Sequence, residues 1–481
     1  STSASTTSVN DVNIGGDAGS SVIFDQDNTY TGSTTVNANA ALELQTADAV
    51  ATSSGITVST GGALKLFDSS GGQTFAAVDL TLNGVGVSGA NGSLRSTGGD
   101  NEWQGNITLS SNSRIQTDTT GGSGSLDVSG TIGGGSNVLF VGADGAAITL
   151  SGAISGAGNT QNDTTTSLFK DGTSDVTLTA ANTYTGDTRI AEGALIVSGS
   201  GSLGSGSDVF LDADGSLTLN TSTTVASVQE WGTGNAGTVS VGTGAILTVD
   251  GADKGTLQQS TISGEGGLTV AASGTTVLRL YGNNTYTGAT AVSGGTLQLE
   301  GTAGSGGITG TSSVTVSGGT LLLSSSNQVN DSATVTLSGG TIERASGVSE
   351  VFGNLNLTTD SFLDFGSGST GTISFGSYTP SSLLAVSNFG EGNTLTFGDD
   401  LTTQVNNTSL FTFDNGFTSS WDSGSSTFTI TAIPEPSTYV AAAGLLALFL
   451  WPVRRRLIKD TKSILGLRPT GRDRIEAYRQ A

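Results

Sequence analysis

The pentapeptide Asn-Thr-Tyr-Thr-Gly occurs three times in this chain of 481 residues, at 28–32, 182–186 and 284–288. Each copy is followed, about ten residues later, by a short stretch in which apolar residues alternate with others. These stretches are 41–44, 194–197 and 296–299. Self-similarity of this kind is typical of proteins built from stacked copies of one small unit.

A shorter pattern, Gly followed by a small residue and by Leu-x-Leu, recurs between the three copies. Its apolar positions are separated by 20 to 24 residues, in the pairs Leu42 and Leu64, Leu195 and Leu217, Leu297 and Leu321, Leu321 and Ile342, and Ile342 and Phe362. Within each unit, polar and apolar residues alternate at period two between Gly, Ser, Asn and Asp, which indicates short strands and turns. We therefore expect rungs of about 22 residues, each with roughly three strands and three turns.

Units of this length, made of strands alone, can bury their apolar faces only by stacking on the next unit. The sequence therefore predicts an all-β fold, a parallel β-helix (β-solenoid) over residues 1–360 with 16 or 17 turns. Residues 1–379 contain no proline. That agrees with strands that are nearly all paired, because proline cannot donate a ladder hydrogen bond.

The chain has 74 glycines, which suits a coil with several tight corners in every turn. We expect three residues of each pentapeptide to be corner residues, with the asparagines in the left-handed conformation. These predicted corners are Asn28, Tyr30, Gly32, Asn182, Tyr184, Gly186, Asn284, Tyr286 and Gly288. We expect the tyrosines to pack over the corners rather than to form a sugar-stacking face.

Residues 361–432 are rich in aromatic side chains and lack the 22-residue rhythm. The last turn of a solenoid must be covered, because an open strand edge promotes aggregation. This segment is predicted to be a β cap.

The segment 433–456 contains Pro434, Glu435 and Pro436, then an uncharged, largely apolar run from 437 to 453, then Arg454, Arg455 and Arg456. The run is long enough to predict one transmembrane helix, with Tyr439 and Trp451 as interfacial anchors. The three arginines favour a cytoplasmic C-terminus, which places the basic tail 457–481 inside. Residues 1–453 carry a formal charge of −29 and 454–481 carry +6, so the acidic body is expected outside.

Composition excludes many chemistries. The chain has no Cys, His or Met, so a disulfide framework, a Ser-His-Asp triad and an imidazole or thiolate metal site are ruled out. A body this acidic would repel nucleic acid, which is therefore not an expected partner.

A polysaccharide-binding β-helix, or a polysaccharide lyase or glycoside hydrolase, is the alternative function. Such hydrolases need paired carboxylates, and Asp212 with Asp214 or Asp399 with Asp400 are candidate pairs. Pairs of this kind are expected by chance in so acidic a chain, and we predict no catalytic residue, no metal site and no cofactor. Calcium bound by acidic turns is a second alternative.

Two resemblances can be named on these motifs. The three pentapeptides with their Gly-Gly-Thr-Leu-like sequels resemble the autotransporter-associated β-strand repeat, also called the passenger-associated transport repeat, which implies a right-handed parallel β-helix. The segment from Pro434 to Arg456 resembles the PEP-CTERM sorting signal. That resemblance implies recognition of Pro434, Glu435 and Pro436 by an exosortase, although the 25 residues after Arg456 depart from the usual pattern.

The combined expectation is a non-enzymatic structural or adhesive protein of the cell surface or extracellular matrix of a Gram-negative bacterium. Its expected partners are the exosortase, the inner membrane before processing, and exopolysaccharide or other matrix components. No secretory signal is visible at Ser1–Ala4. We therefore expect the sequence to begin after signal cleavage or to be a fragment.

Overall fold

A computed structural model describes residues 10–433, apart from 17–19, 88–91, 119–123, 162–163, 233–236, 252–255, 258–259, 274–275, 302–306 and 369. Within these described residues the chain forms strands and turns, without an α-helix.

The first half of the described chain contains short strands joined by tight turns. They are β1 (Val12–Ile14), β2 (Ser20–Phe24), β3 (Thr34–Val36), β4 (Ala40–Leu44), β5 (Ile56–Val58), β6 (Ala63–Phe67), β7 (Thr74–Phe75), β8 (Leu80–Gly84), β9 (Leu94–Gly98), β10 (Asn101–Trp103), β11 (Ile107–Thr117), β12 (Leu126–Val128), β13 (Ile132–Gly133), β14 (Leu139–Ala143), β15 (Ile148–Leu150), β16 (Ile154–Ser155), β17 (Asn159–Gln161), β18 (Thr164–Asp171), β19 (Val176–Leu178), β20 (Asp187–Val197) and β21 (Asp208–Leu219).

The second half continues in the same manner. Its strands are β22 (Thr223–Val225), β23 (Ser227–Glu230), β24 (Thr238–Val241), β25 (Ile246–Val249), β26 (Thr256–Leu257), β27 (Thr261–Gly264), β28 (Gly267–Ala271), β29 (Val277–Leu280), β30 (Thr290–Gly294), β31 (Thr296–Leu299), β32 (Ser313–Val316), β33 (Thr320–Leu323), β34 (Thr334–Ser338), β35 (Thr341–Arg344), β36 (Glu350–Thr359), β37 (Ser361–Asp364), β38 (Gly371–Thr379), β39 (Leu384–Ser387), β40 (Asn393–Phe397), β41 (Phe411–Phe413), β42 (Phe417–Asp422) and β43 (Thr427–Ala432).

The strands form a parallel β-solenoid, as predicted, because all of them except β17, β42 and β43 pair in parallel with the equivalent strand one turn away. The longest ladder is parallel throughout and runs β2, β4, β6, β9, β11, β14, β18, β20, β21, β23, β26, β29, β31, β33, β35, β37, β39, β41. A second sheet contains the parallel strands β22, β25, β28, β30, β32, β34, β36, β38 and β40. We call the first sheet A and the second sheet B.

The predicted repeat pairs stack in register through most of the chain. Leu42 pairs with Leu64, and Leu297 pairs with Leu321. The side chains of these leucines are fully buried, since alternate residues of each strand face the interior.

The last predicted repeat pair is wrong by one residue. Ile342 pairs with Leu363, which is buried, whereas Phe362 pairs with Thr341 and is 50% exposed. A shift of one residue in a strand turns a side chain to the opposite face of the sheet. The spacing in the sequence did not show which of the adjacent residues Phe362 and Leu363 faces the interior.

The number of strands in a turn changes along the solenoid. In the first half, sheet A holds three parallel ladders, and long strands such as β11 and β20 join two of them around a bend. From β30 onward, successive strands alternate between sheet B and sheet A up to β41. The predicted three strands per rung therefore apply as far as β27, and two strands per rung follow from β28 onward.

Parallel stacking continues beyond residue 360, through β38 to β40 and β39 to β41. Beyond residue 360 the direction changes at the end, where β43 lies antiparallel on β40 and β42 lies antiparallel on β43. In the first half, β17 also forms an antiparallel pair with β18. Aromatic side chains fill the interior here, and the ring centroids of Phe352 and Phe375 lie 5.3 Å apart. The cap remains a prediction. The antiparallel pairing of β42 and β43 is consistent with a covered end of the solenoid.

The predicted sorting signal, transmembrane helix and tail at 434–481 lie outside the described residues. Among the residues that are described, no helix is long and apolar enough to cross a bilayer.

Leu363 and Phe362 offer a direct test of the register. We expect Leu363→Ala to destabilise the solenoid by about 2–5 kcal/mol, because it opens a cavity in the buried column. Phe362→Ala should cost less than about 1 kcal/mol, because half of that ring is already in water. Urea unfolding of both variants, followed by circular dichroism, measures the difference; equal losses would contradict the register.

Candidate functional site

The three pentapeptides are the most distinctive local structure of the chain. Each lies between two strands, and the second and third copies bond to the preceding turn. In the second copy, the N–H groups of Thr183 and Thr185 donate to the carbonyl oxygens of Ile154 and Gly156, both at 2.9 Å. The third copy makes the same bonds from Thr285 and Thr287. The pentapeptide thus prolongs the ladder where no regular strand is present.

The asparagine that begins the pentapeptide joins neighbouring turns through its side chain. Asn182 Oδ1 accepts from the N–H of Ile154 at 2.8 Å, while its Nδ2 donates to the carbonyl of Ser202 at 2.6 Å. Asn284 Oδ1 accepts from the N–H of Ile262 at 2.8 Å. A buried amide that satisfies backbone groups of adjacent turns replaces the ladder bonds that are missing there.

The left-handed conformation expected for these asparagines is wrong. Among the described residues, the non-glycine residues with positive φ are Asn39, Asn327, Asn388 and Ser426. Asn182 and Asn284 instead bond through their side chains to the turns on both sides, and Asn28 bonds to Ala49 of the following turn.

The final position of each pentapeptide requires glycine for a steric reason rather than for the expected turn geometry. A Cβ on Gly32, Gly186 or Gly288 would overlap a backbone carbonyl oxygen of the preceding turn. None of the three has a positive φ. Close approach of two backbones therefore requires glycine at these positions.

The tyrosine of each pentapeptide begins a chain of hydroxyl groups. In the third copy, the Tyr286 hydroxyl lies 2.6 Å from Thr290 Oγ1, which lies 2.9 Å from Thr311 Oγ1 in the next turn. Tyr184, Thr188 and Ser207 repeat the arrangement, as do Tyr30, Thr34 and Ser53. The three chains connect consecutive turns through buried or partly buried hydroxyls.

The threonine that follows the tyrosine in each chain of hydroxyl groups was not among the predicted site residues. It stands two positions after the glycine in every copy, so the repeat is the heptapeptide Asn-Thr-Tyr-Thr-Gly-x-Thr. Thr34, Thr188 and Thr290 are all buried. Extending the comparison of the copies by two residues would have found it.

The tyrosines of the second and third copies are inaccessible to a ligand. Tyr184 and Tyr286 are 0% exposed. Burial raises the pKa of the Tyr184 phenol to about 12 and raises the pKa of Tyr286 further. These rings cannot stack on a sugar, and their hydroxyls serve the contacts between turns.

Two basic side chains are buried inside the solenoid rather than displayed. Lys170 Nζ donates to the backbone carbonyls of Gly172 at 2.5 Å and Glu192 at 2.7 Å, and burial lowers its pKa to about 8. Arg344 Nη2 donates to Asn393 Oδ1, and its guanidinium carbon lies 4.8 Å from the centre of the Phe365 ring. Both cations satisfy interior oxygen atoms or cover an aromatic face.

Glu350 is a buried acid, 1% exposed. Its two carboxylate oxygens accept from the N–H groups of Gln328 at 2.8 Å and Val329 at 3.2 Å. Burial nevertheless raises the pKa of this carboxyl to about 7, because the two hydrogen bonds compensate only partly for the lost hydration.

Surface acids also bond to adjacent turns. Asp11 Oδ1 accepts from both the N–H and the hydroxyl of Ser33, and Asp100 Oδ1 accepts likewise from Ser125. These bonds hold the pKa of both carboxyls below the usual value for aspartate. Acidic residues thereby serve the stacking of turns without needing basic partners.

Three of the four acids considered for catalysis bond to other residues of the chain. Asp212 Oδ2 accepts from Arg189 Nη2 at 2.8 Å. Asp399 accepts from the N–H of Tyr378, and Asp400 accepts from the N–H of Thr402. Within the described ranges, no three acidic side chains are grouped as metal ligands. The arrangement favours structural roles for these carboxylates.

An aromatic group surrounds Arg189 on the outer face of sheet A. Its guanidinium carbon lies 5.0 Å from the centre of the Phe169 ring and 4.3 Å from that of Trp231. The ring of Phe210 meets Trp231 edge to face at 5.3 Å. Because these ring faces contact their neighbours, the group stabilises the stack and offers no free stacking platform.

Comparison with known proteins supports the repeat assignment. The profile of the Passenger-associated-transport-repeat family matches residues 21–38, 168–197 and 270–299, and each match contains one pentapeptide. The chain is 32% identical over 182 residues to "Adhesin BmaC autotransporter" of Brucella suis biovar 1 (strain 1330). That alignment covers 37% of this chain and about 5% of the relative's length. No solved structure matches the chain.

Thr290 tests the hydroxyl chain. We expect Thr290→Val to lower the free energy of unfolding by about 1–3 kcal/mol, because Tyr286 and Thr311 each lose a buried hydrogen-bond partner. Thr315→Val, on the outer face of β32, is the matched control and should change stability by less than about 0.5 kcal/mol. Thermal unfolding measures both, and equal effects would rule out a structural hydroxyl chain.

Glu350 predicts a pH dependence of stability. Its pKa is raised in the folded state, so the folded chain retains a proton that the unfolded chain releases above about pH 4.5. Stability should therefore fall by up to about 3 kcal/mol as the pH rises from 4.5 to 7.

The measurement is urea unfolding at several pH values for the wild type and Glu350→Gln. The difference in unfolding free energy between the two should change across this pH interval. A constant difference would contradict a raised carboxyl pKa.

Proposed function

We propose that this chain is the exported body of a non-enzymatic structural or adhesive protein of a bacterial cell surface or extracellular matrix. The observation that carries the proposal is the uninterrupted parallel ladder from β2 to β41, which makes a long repetitive surface. The similarity to a protein named an adhesin and to an autotransporter-associated repeat supports the same assignment.

The placement of reactive groups favours structure over catalysis. Lys170, Arg344 and Glu350 are buried in contacts within the solenoid, and Asp212 is paired with Arg189. Incubation of the purified chain with pectin, alginate or the producer's own polysaccharide should therefore release no oligosaccharides. Shortening of any of these polysaccharides would favour a lyase or a hydrolase instead.

The route to the surface is proposed from the C-terminal sequence. In this proposal the helix at 437–453 holds the chain in the inner membrane, with the basic tail inside and the acidic body outside. An exosortase then recognises Pro434, Glu435 and Pro436 and releases or re-anchors the body. The antiparallel strands β42 and β43 support a cap at the end of the solenoid nearest to this segment.

Mass spectrometry of the cell-surface fraction tests this route. We expect peptides of the body from wild-type cells and none from residues 457–481, because the tail is removed on sorting. Replacement of Pro434, Glu435 and Pro436 by alanine should retain the tail on the protein. Tail peptides in the wild-type surface fraction would show that this processing does not occur.

A further inference from the structure

The outward side of sheet B differs from the longest ladder of sheet A. Along the parallel strands β22 to β40, the residues that face outward are Thr, Ser, Ala, Asn and Gly, with Ile246 and Val351 as the large apolar exceptions. The one charged residue in these strands is Glu350, and its side chain is buried. We call this surface the hydroxyl face.

The longest ladder of sheet A, from β2 to β41, is charged by contrast. It contains all the described basic residues, and four of these pair with acidic side chains. The basic residues are Lys65, Arg95, Arg114, Lys170, Arg189, Arg279 and Arg344. Strands β1, β3, β5, β8, β13 and β16 of sheet A also contain no charged residue, so the described basic residues are confined to one ladder of the solenoid.

A single column of residues runs along the middle of the hydroxyl face. Cross-strand pairing places its members directly above one another, in the order Thr224, Thr248, Thr269, Ala291, Thr315, Thr336, Asn356, Thr379. Serine, threonine and asparagine side chains each carry both a donor and an acceptor. The face can therefore form hydrogen bonds with a copy of itself.

We propose that the hydroxyl face binds the hydroxyl face of a second copy of this chain. Two copies with a net charge of −23 repel each other, and the strands of this face present no charged side chain to the other copy, so that like charges meet only at its rim. The small side chains let two sheets pack at about 10 Å. The inference deepens the proposed adhesive function, on which it rests, by naming the partner.

The size of the face predicts a weak contact. Nine strands at about 4.8 Å and a width of about 13 Å give roughly 500 Å² per copy, or about 1,000 Å² in total. Stable interfaces bury about 1,200–2,000 Å², so a single pair associates transiently. Many copies on two cell surfaces would hold through multivalency.

The rim of the face predicts a salt dependence. Exposed acids lie next to the ends of its strands, namely Asp250, Glu265, Asp331, Asp360 and Glu391. In a face-to-face pair these acids repel their counterparts, so added salt should strengthen the association by screening them.

A twofold axis makes the pairing testable at single residues. β32 is the middle strand of the nine, so Thr315 lies near its own copy, whereas Thr248, three strands before it, lies near Thr379, three strands after it, of the other copy. The chain contains no cysteine, which means that one introduced thiol is the only reactive one.

The experiment uses the purified full chain in a mild detergent with a short bifunctional maleimide. Thr315→Cys should cross-link to itself. Thr248→Cys should cross-link when mixed with Thr379→Cys but not with itself. Leu322→Cys, which faces outward on sheet A, is the matched control. Equal dimer yields for Thr315→Cys and Leu322→Cys would overturn the proposal.

Sedimentation velocity gives a second measurement. The double variant Thr269→Glu and Thr315→Glu should weaken dimerisation about tenfold or more, because like charges then meet across the axis. Thr218→Glu with Leu322→Glu adds the same charge on sheet A and should change the dimerisation little. Equal weakening of the dimer by both double variants would also overturn the proposal.

The result can be separated from that of the proposed function. Cross-linking of the purified chain does not depend on export or processing. Failure to cross-link, with normal display at the cell surface, removes this inference alone. Cross-linking without surface display removes the proposed function alone.

Discussion

The parallel hydrogen-bond ladder between consecutive turns is the constraint on which the structure depends. A strand in the interior of the stack satisfies its backbone groups only if the turns before and after it lie in register. In-register stacking places equivalent residues in columns, such as the buried column through Leu297, Leu321 and Ile342. The repetition in the sequence is the consequence of these columns.

Polar side chains accept hydrogen bonds from backbone groups at positions where the ladder is interrupted. Asn182, Asn284 and Glu350 accept from backbone N–H groups of the preceding turn inside the solenoid, and Asp11 and Asp100 do so at the surface for the following turn. Carboxylates need no basic partner when backbone donors and hydroxyls satisfy them. This explains how a body with so few basic residues tolerates many acids.

The separation of charge between the two sheets bears on function. Sheet A contains the described basic residues with acidic partners, whereas the outer side of sheet B from β22 to β40 presents hydroxyl and amide groups. Charged side chains require partners or water, so they favour a solvated face. An uncharged and repetitive face is suited to contact with another surface.

The sequence by itself determined the class of fold, the stacking unit and most of the register, because a period near 22 with alternating residues permits few other structures. It also identified the pentapeptide as the defining motif. Only the tertiary structure decided what that motif does, because the bonds of Asn182, the hydroxyl chain of Tyr286 and the close approach at Gly288 all involve residues of other turns.

The position of Phe362 and the uncharged face of sheet B were likewise set by the fold. A side chain one residue out of register changes face, and which outward residues share a face depends on where each turn bends. Neither is local to the sequence, since contacts between turns connect residues about 20 to 30 positions apart.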